Sequence, residues 1–307
     1  MAIRSLKTGA FSRSLLVGNP VYANADVLVI AGGAGGGNIG GGGGAGGLLY
    51  TAGQLFSPGT SYTVTVGAGG ESSTVSGNTV LKGASNGNNS VIGSLTAIGG
   101  GAGGGYSDYY SSAGGSSGGL GALETTPLTA TSGQGNQGGN RTVAGSAFYT
   151  SGGGGAGGAG GNASATLQFE GVGGVGSSAY SSWGAATSSG QNVSGTYYYA
   201  GGGGGGAFSN PNDMACVGGY GGGGQGSGGR NNKGVSGTAN TGGGGGGGGF
   251  DNSSGNVRSE SGAGGSGIVI IRKSGSFTAA ATTGSPTRYE TGGYTYYKFT
   301  GSGSITF

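Results

Sequence analysis

Residues 152–161 read GGGGAGGAGG, and comparable stretches recur at 31–37, 40–47, 99–105, 114–121, 171–176, 201–206, 217–229, 242–249 and 262–267. Ninety of the 307 residues are glycine, where roughly 7 per cent is usual, so an ordinary hydrophobic core is not available. Proline occurs five times and no strict G-X-Y period runs through the chain, which excludes a collagen triple helix. The choice is between flexible linkers and glycine-rich chain that is ordered.

Within the runs the non-glycine residues fall three apart: Ala31 and Ala34, Ala45 and Leu48, Leu120 and Leu123, Ala156, Ala159 and Asn162, Val172 and Val175, Val217 and Tyr220, Ala263 and Ser266. Period three is neither the 2 of a strand nor the 3.6 of an α-helix. It is the period of the polyproline II helix, with three residues per turn and about 3.1 Å rise. Such a helix has no internal hydrogen bonds, so each buried N–H and C=O must pair with a neighbouring helix. Without Cβ atoms the backbones can approach closely, and one non-glycine every third position marks the face that looks away from the neighbours. Linkers carry no such in-phase Ala, Val and Leu. The expectation is an irregular, all-β-like fold: a polyglycine II helix sandwich of about ten runs, with a small β-sheet at one end and long loops.

The sheet is read from DVLVIA at 26–31, SYTVTVGAGG at 61–70 and GIVIIRK at 267–273, which are rich in β-branched residues. TGGYTYYKFTGSGSITF reads as two strands joined by a Gly-Ser turn, a C-terminal hairpin over 288–307. If ten runs alternate up and down, the chain returns to the end it left, and the strands at 27–30 and 268–271 lie side by side. The same parity puts 38–39, 106–113, 162–170, 207–216 and 250–261 at the end away from the strands. Residues 49–98, 124–151, 177–200 and 230–241 then fall at the strand end. Residues 26–307 form the glycine-rich domain and 1–25 a separate segment.

Chemistry is sparse. The chain has no His and one Cys, Cys216, so neither a His or multi-Cys metal site nor a Ser-His-Asp or Cys-His triad can be built. Its nine acids are scattered with no pair set for acid/base work. The chain reads as non-enzymatic, without cofactor or metal. GxGxxG matches carry no information at this glycine content. No basic cluster outside the N-terminus points to nucleic acid. The net charge of +3 lies in the first 25 residues. There Arg4, Lys7 and Arg13 alternate with Leu6, Phe11 and Leu15, either as a frayed tail or as a docking peptide.

Sixteen Tyr and one Trp in so uncharged a chain match the Tyr, Ser, Gly and Asn composition of binding loops. The clusters are YSDYY at 106–110, AYSSW at 179–183 and TYYYA at 196–200. Either they bind, or they coat the flanks of the glycine body. A body so featureless would place specificity on loops held by a rigid scaffold. The candidate receptor-binding residues are Tyr106, Asp108, Tyr109, Tyr110, Phe169, Phe208, Asp213, Phe250, Asp251 and Arg258.

VLVIAGGAGGG, GGGGAGGLL, YAGGGGGGAF, GTANTGGGGGGGG and GGSGIVIIR, followed by TTGSP and YKFTGSGSITF, resemble in their order the glycine-rich domain of bacteriophage tail-fibre and adhesin proteins. The resemblance covers residues 26–307. It implies a virion protein with a polyglycine II sandwich at a fibre tip, whose apical loops choose a bacterial outer-surface receptor, protein or glycan. It also implies a homotrimer or attachment to a trimeric fibre. In that family YKFTGSGSITF-type strands often precede the VLVIAGG segment, whereas here they end the chain. The N-terminal segment resembles virion-docking peptides of phage structural proteins, of cyanophage type, which implies other virion proteins as partners. A capsid- or tail-decorating fibre without a receptor is the second reading. An ice-binding polyglycine II protein is the third, opposed by the long spacers.

Overall fold

The computed structural model describes residues 23–106, 109–141, 150–163, 171–207, 216–228, 232–251 and 257–307. In chain order its strands are β1 (Ala23–Ile30), β2 (Leu48–Phe56), β3 (Ser61–Thr65), β4 (Thr74–Ser76), β5 (Thr79–Lys82), β6 (Ser90–Ile92), β7 (Leu95–Ala97), β8 (Gln191–Val193), β9 (Thr196–Tyr198), β10 (Phe250–Asp251), β11 (Val257–Arg258), β12 (Ile268–Ser274), β13 (Ala281–Thr283), β14 (Thr287–Thr291), β15 (Tyr294–Phe299) and β16 (Gly303–Thr306). Among the described residues there is one helix, α1 (Ser181–Thr187). The fold is all-β-like and its strand pairs are antiparallel.

Instead of one small sheet there are two five-stranded ones, ordered β14-β15-β12-β1-β2 and β13-β16-β3-β6-β7. β1 pairs directly with β12, Val27 opposite Ile271 and Val29 opposite Val269, as the alternation of runs requires. These residues face the second sheet and share a core with Phe56, Val64, Ile92, Phe299 and Ile305. Leu28, Ile30, Ile268 and Ile270 point the other way, onto Trp183 of α1 and Tyr199. Burial on both faces is why DVLVI and GIVII read as continuous apolar runs. The expected hairpin over 288–307 pairs differently. β15 lies between β14 and β12, whereas β16 crosses to the other sheet between β13 and β3. Ile305 enters the core between the two sheets together with Tyr297 and Phe299 of β15, whereas Tyr296 points to the opposite face of its sheet.

From the sheets the glycine segments run out and back. Along 40–45 successive amides donate to three neighbours in rotation: Gly40 to Gly248, Gly41 to Gly104, Gly42 to Ser151, then Gly43 to Gly245, Gly44 to Gly101 and Ala45 to Gly154, at 2.8–3.1 Å. The carbonyls of the same segment accept from three further neighbours, for example from Ala34, Gly119 and Gly203. Residues 31–36 repeat the rotation, donating to Gly47, Asn88 and Gly265 and then to Gly44, Ser85 and Gly262. Both segments are fully buried. None of their glycines has positive φ, so glycine is needed here for room and not for its wider φ range. A methyl group on Gly43 would overlap the Ala34 carbonyl, and one on Gly36 the Gly246 carbonyl.

Several expectations change. Run 152–161 is a hairpin that bends at 156–158, closed by Gly152 N–H to Gly161 O at 3.0 Å and Gly155 N–H to Gly158 O at 2.9 Å. Ala156 therefore packs against the Trp183 cluster and does not face outward, although Ala159 and Asn162 are exposed. Run 217–229 likewise reverses at 220–222. Residues 67–70 and 85–88 join the body, through Gly70 N–H to Gly33 O and Gly32 N–H to Asn88 O, and were not among the ten runs. The single outward face holds for peripheral segments, where Val172, Val175, Val217 and Tyr220 are exposed, and fails for interior ones, where Ala31, Ala34, Ala45 and Leu120 are fully buried.

One ion pair ties the sheet to its helical cover. Asp26 and Arg272 face each other across β1 and β12, with Nη2 to Oδ2 at 2.6 Å, and Asp26 Oδ1 accepts from Gly53 N–H at 2.9 Å. The guanidinium lies between the rings of Trp183 and Tyr294, at 4.6 and 4.5 Å from their centroids. Burial pushes the Asp26 carboxyl up, but the Arg272 and Gly53 hydrogen bonds and the Arg272 charge outweigh it and hold the group below its ordinary value.

Gly43→Ala is expected to lower stability by about 3 kcal/mol through overpacking. Gly301→Ala, where a methyl meets open space, should stay within about 0.5 kcal/mol; denaturant melts of the two variants check the contrast. Because the Asp26 value is lowered by folding, its contribution is present above the ordinary aspartate value and lost as pH falls through the folded one. Asp26→Asn should cost roughly 1 kcal/mol at neutral pH, and the gap from wild type should close as melts are repeated towards pH 2.

Candidate functional site

Segments 31–37 and 40–47 leave and rejoin the sheet, so the turn between them marks the end remote from it. That turn is Asn38-Ile39, and Ile39 is buried with φ of 44°, a strained conformation for a β-branched residue. Tyr106 N–H donates to Asn38 O at 3.0 Å, and Asn38 Nδ2 donates to Ser259 O at 2.9 Å. Next to Ser259, the Arg258 guanidinium stands 5.0 Å from the centroid of the Tyr106 ring. Its Nε donates to Asn78 Oδ1 at 3.0 Å. Asn78 lies in the turn of the β4–β5 hairpin, and the Tyr109 ring lies against Gly83, just past β5.

The fold thus brings Tyr106 and Tyr109 together with Arg258 and the β4–β5 hairpin, segments far apart in sequence. Phe250 lies opposite Arg258 across β10 and β11. Tyr109 is 39 % and Tyr110 72 % exposed. Asp251 belongs to β10, its side chain outside the described residues. Asp108, Phe169, Phe208 and Asp213 lie outside them too, as do the N-terminal residues Arg4, Leu6, Lys7, Phe11, Arg13 and Leu15. Each of the other aromatic clusters sends one ring into the core, Trp183 and Tyr199, while Tyr180, Tyr197 and Tyr198 are half-buried. Burial pushes the Tyr199 hydroxyl up to about 12 despite its bonds to Ser189 and Thr187.

Two pieces of the distal end were expected at the strand end. One is the β4–β5 hairpin, inside 49–98. Its signal was present: TVS and TVLK flank Gly77-Asn78, a two-residue hairpin turn, and Gly77 has φ of 58°. The other is the start of 124–151, where Glu124, Thr125, Thr126 and Leu128, with Leu123, Tyr110 and Ser111, line an open cleft of about 340 Å³. Glu124 holds that cleft together. Its Oε1 accepts from Ser111 N–H at 2.7 Å and Oγ at 2.9 Å, and its Oε2 accepts from Gly121 N–H at 2.7 Å, which caps an end of the glycine body.

What this end offers chemically is contact: exposed rings, hydroxyls, the Arg258 cation, the Glu124 carboxylate and the Lys82–Glu71 ion pair beside the β4–β5 hairpin. Among the described residues no three His, Cys, Asp or Glu side chains gather to hold a metal ion. Two buried polar atoms, Asn38 Oδ1 and Ser259 Oγ, have no hydrogen-bond partner among the described residues.

A family model described as a glycine-rich domain matches residues 17–274. The chain belongs to the glycine-rich domain family. Within this glycine-rich domain protein the match ends at the last residue of β12, while β13 to β16, beyond it, complete both sheets. No curated protein and no solved structure matches the chain.

Ser259→Ala removes a buried hydroxyl that bonds nothing and keeps the carbonyl that Asn38 uses. It is expected to leave stability unchanged or raise it by up to about 1 kcal/mol, as read by a denaturant melt.

Proposed function

We propose that the glycine segments are polyglycine II helices packed as a sandwich, and that this glycine-rich protein is a non-enzymatic phage virion component, a tail-fibre adhesin. Its distal loops attach to a receptor on the bacterial outer surface, and its N-terminal residues mount it on other virion proteins, as a homotrimer or on a trimeric fibre. The rotation of amide donors through three neighbours supports the helix assignment, since three residues per turn is the polyproline II value. The observation that carries the binding role is the meeting of Tyr106 and Arg258 at the end remote from the sheets, with Tyr109 against the neighbouring hairpin and Tyr110 exposed next to it. The intervening glycine segments offer almost no side chains, so recognition has to reside at such an end. Tyrosine suits the task, because a rigid amphipathic ring gives contact area at low entropy cost.

A second reading, a decorating fibre without a receptor, draws support from the engagement of Arg258 by Asn78 and Tyr106, which gives that cation a structural role as well. Adsorption separates the two. Labelled purified protein is expected to adsorb to cells from a panel of bacterial strains. The double variant Tyr109→Ala, Tyr110→Ala should adsorb at least tenfold less with an unchanged melt. Wild-type protein that adsorbs to no strain, yet is located along the virion body by immunogold microscopy, would favour decoration. Crystallographic φ and ψ near −75° and +145° through 40–47 are expected of polyglycine II; extended β values there would refute it.

A further inference from the structure

The cleft beside Tyr110 has a composition that selects among ligands. It is walled by Tyr110 and Ser111 on one side and by Leu123, Glu124, Thr125, Thr126 and Leu128 on the other. Its roughly 340 Å³ is near the small end of ligand pockets, which run to about 300–1,000 Å³, a size suited to one or two six-membered sugar rings. Tyr110 is 72 % exposed and Leu123 54 % exposed, so an apolar ring face and an apolar edge stand free of the body. Thr125 and Thr126 are also exposed and supply hydroxyls that both donate and accept.

Both Glu124 oxygens are turned to Ser111 and Gly121, which fixes the carboxylate in place. Its negative charge faces a lining that contains no Lys or Arg. An anionic ligand would meet repulsion with nothing to offset it, and a long apolar peptide would leave the hydroxyls unpaired. An amphipathic neutral ring, apolar on one face and edged with hydroxyls, matches all four elements.

We infer that this cleft is a saccharide subsite that stacks a neutral hexopyranose on Tyr110 and hydrogen-bonds its hydroxyls to Thr125 and Thr126. This rests on the adhesin reading and names the chemistry its receptor would present. So shallow a site binds one ring weakly, and useful attachment comes from several copies acting together.

The test uses the full chain with defined probes: gluco-, galacto- and manno-oligosaccharides of two to four residues, and a sialylated trisaccharide as the acidic comparison. Titration calorimetry should detect at least one neutral oligosaccharide and no sialylated binding. Tyr110→Ala should weaken that binding at least tenfold, and Thr125→Val with Thr126→Val at least fivefold, while Tyr110→Phe retains it and all melts stay unchanged. Binding of the sialylated probe with equal strength, neutral binding indifferent to Tyr110→Ala, or no binding of any probe overturns the assignment. Whole-cell adsorption is measured in parallel after periodate treatment of the cells. Adsorption that survives periodate but not protease moves the receptor to a protein bound by other loops, which rejects the saccharide subsite and leaves the adhesin reading standing. No adsorption under any condition rejects the adhesin reading itself.

Discussion

A glycine thread whose successive amides point to three different neighbours cannot satisfy its own amides, and everything else in this fold follows from where those amides go. Gly40, Gly41 and Gly42 donate to three different segments, and the next three residues return to the same three. Accepting bonds from three further segments, residues 40–47 become the centre of a ring of six neighbours. Backbone must then lie against backbone, at separations where a Cβ collides with a carbonyl on nearly every side. Glycine recurs for that spacing alone, and the turns, such as Gly242 with φ of 73°, are the few places where its wider φ range is used. Since a net hydrogen bond contributes only about 0.5–1.5 kcal/mol and ordering a residue opposes folding by about 1–2, no thread can stand alone.

The sheets answer that deficit at one end. β1 runs directly into residues 31–37, β2 begins where 40–47 ends, and β12 follows 262–267. The β1–β2 and β1–β12 registers, Ile30 opposite Leu48 and Ile268, therefore set the relative heights of three interior threads before their first glycine. A slip of β1 against β12 would move Asp26 away from Arg272 and put Gly33 and Gly36 out of step with Gly265 and Gly262, and a slip against β2 would take Asp26 from Gly53 and put Ala31 and Ala34 out of step with Gly47 and Gly44. Apolar burial on both faces of β1 and β12, with Arg272 clasped by Asp26, Trp183 and Tyr294, acts on the glycine body through registry.

How much of this was legible can be told residue by residue. DVLVI and GIVII announced central strands because an apolar run is a local signal, and their pairing came out as the alternation of runs predicted although two of the ten runs are hairpins and residues 67–70 and 85–88 join them. Val172 with Val175, and Val217 with Tyr220, correctly marked outward faces, since at the periphery a side chain must point to solvent. The same spacing misled at Ala31, Ala34 and Ala45, because methyl is small enough to fill gaps between interior threads. Ala156 misled for another reason: a bend inside an unbroken glycine run leaves no mark when turn and thread use the same residue. The pairing of β16 with β3 and not β15 was also illegible, since Val64 of β3 and Tyr297 and Phe299 of β15 line the same core as Ile305 and the local pattern fits either sheet. At the distal end Tyr106 and Arg258 were found from composition and parity. Asn78 and Glu124 were missed because their segments were assigned whole to the other end.

A scaffold of this kind separates two sets of demands on sequence. In the interior, the allowed residue is set by distances between main chains, so almost any side chain is excluded whatever its polarity. At the distal reversals the constraint lapses: Tyr109, Tyr110, Leu123 and Thr125 project where no thread passes, and a change there leaves each amide donor of the body with its acceptor. The exceptions are the residues that close the body from outside. Glu124 takes Gly121 N–H and Ser111 N–H, and Asn38 reaches Ser259, so these positions answer to the lattice although they sit among the loops. Recognition can therefore change at the exposed rings and hydroxyls while Glu124 and Asn38 stay as they are, and the boundary between the two sets is drawn by which side chains accept from, or donate to, the glycine main chain.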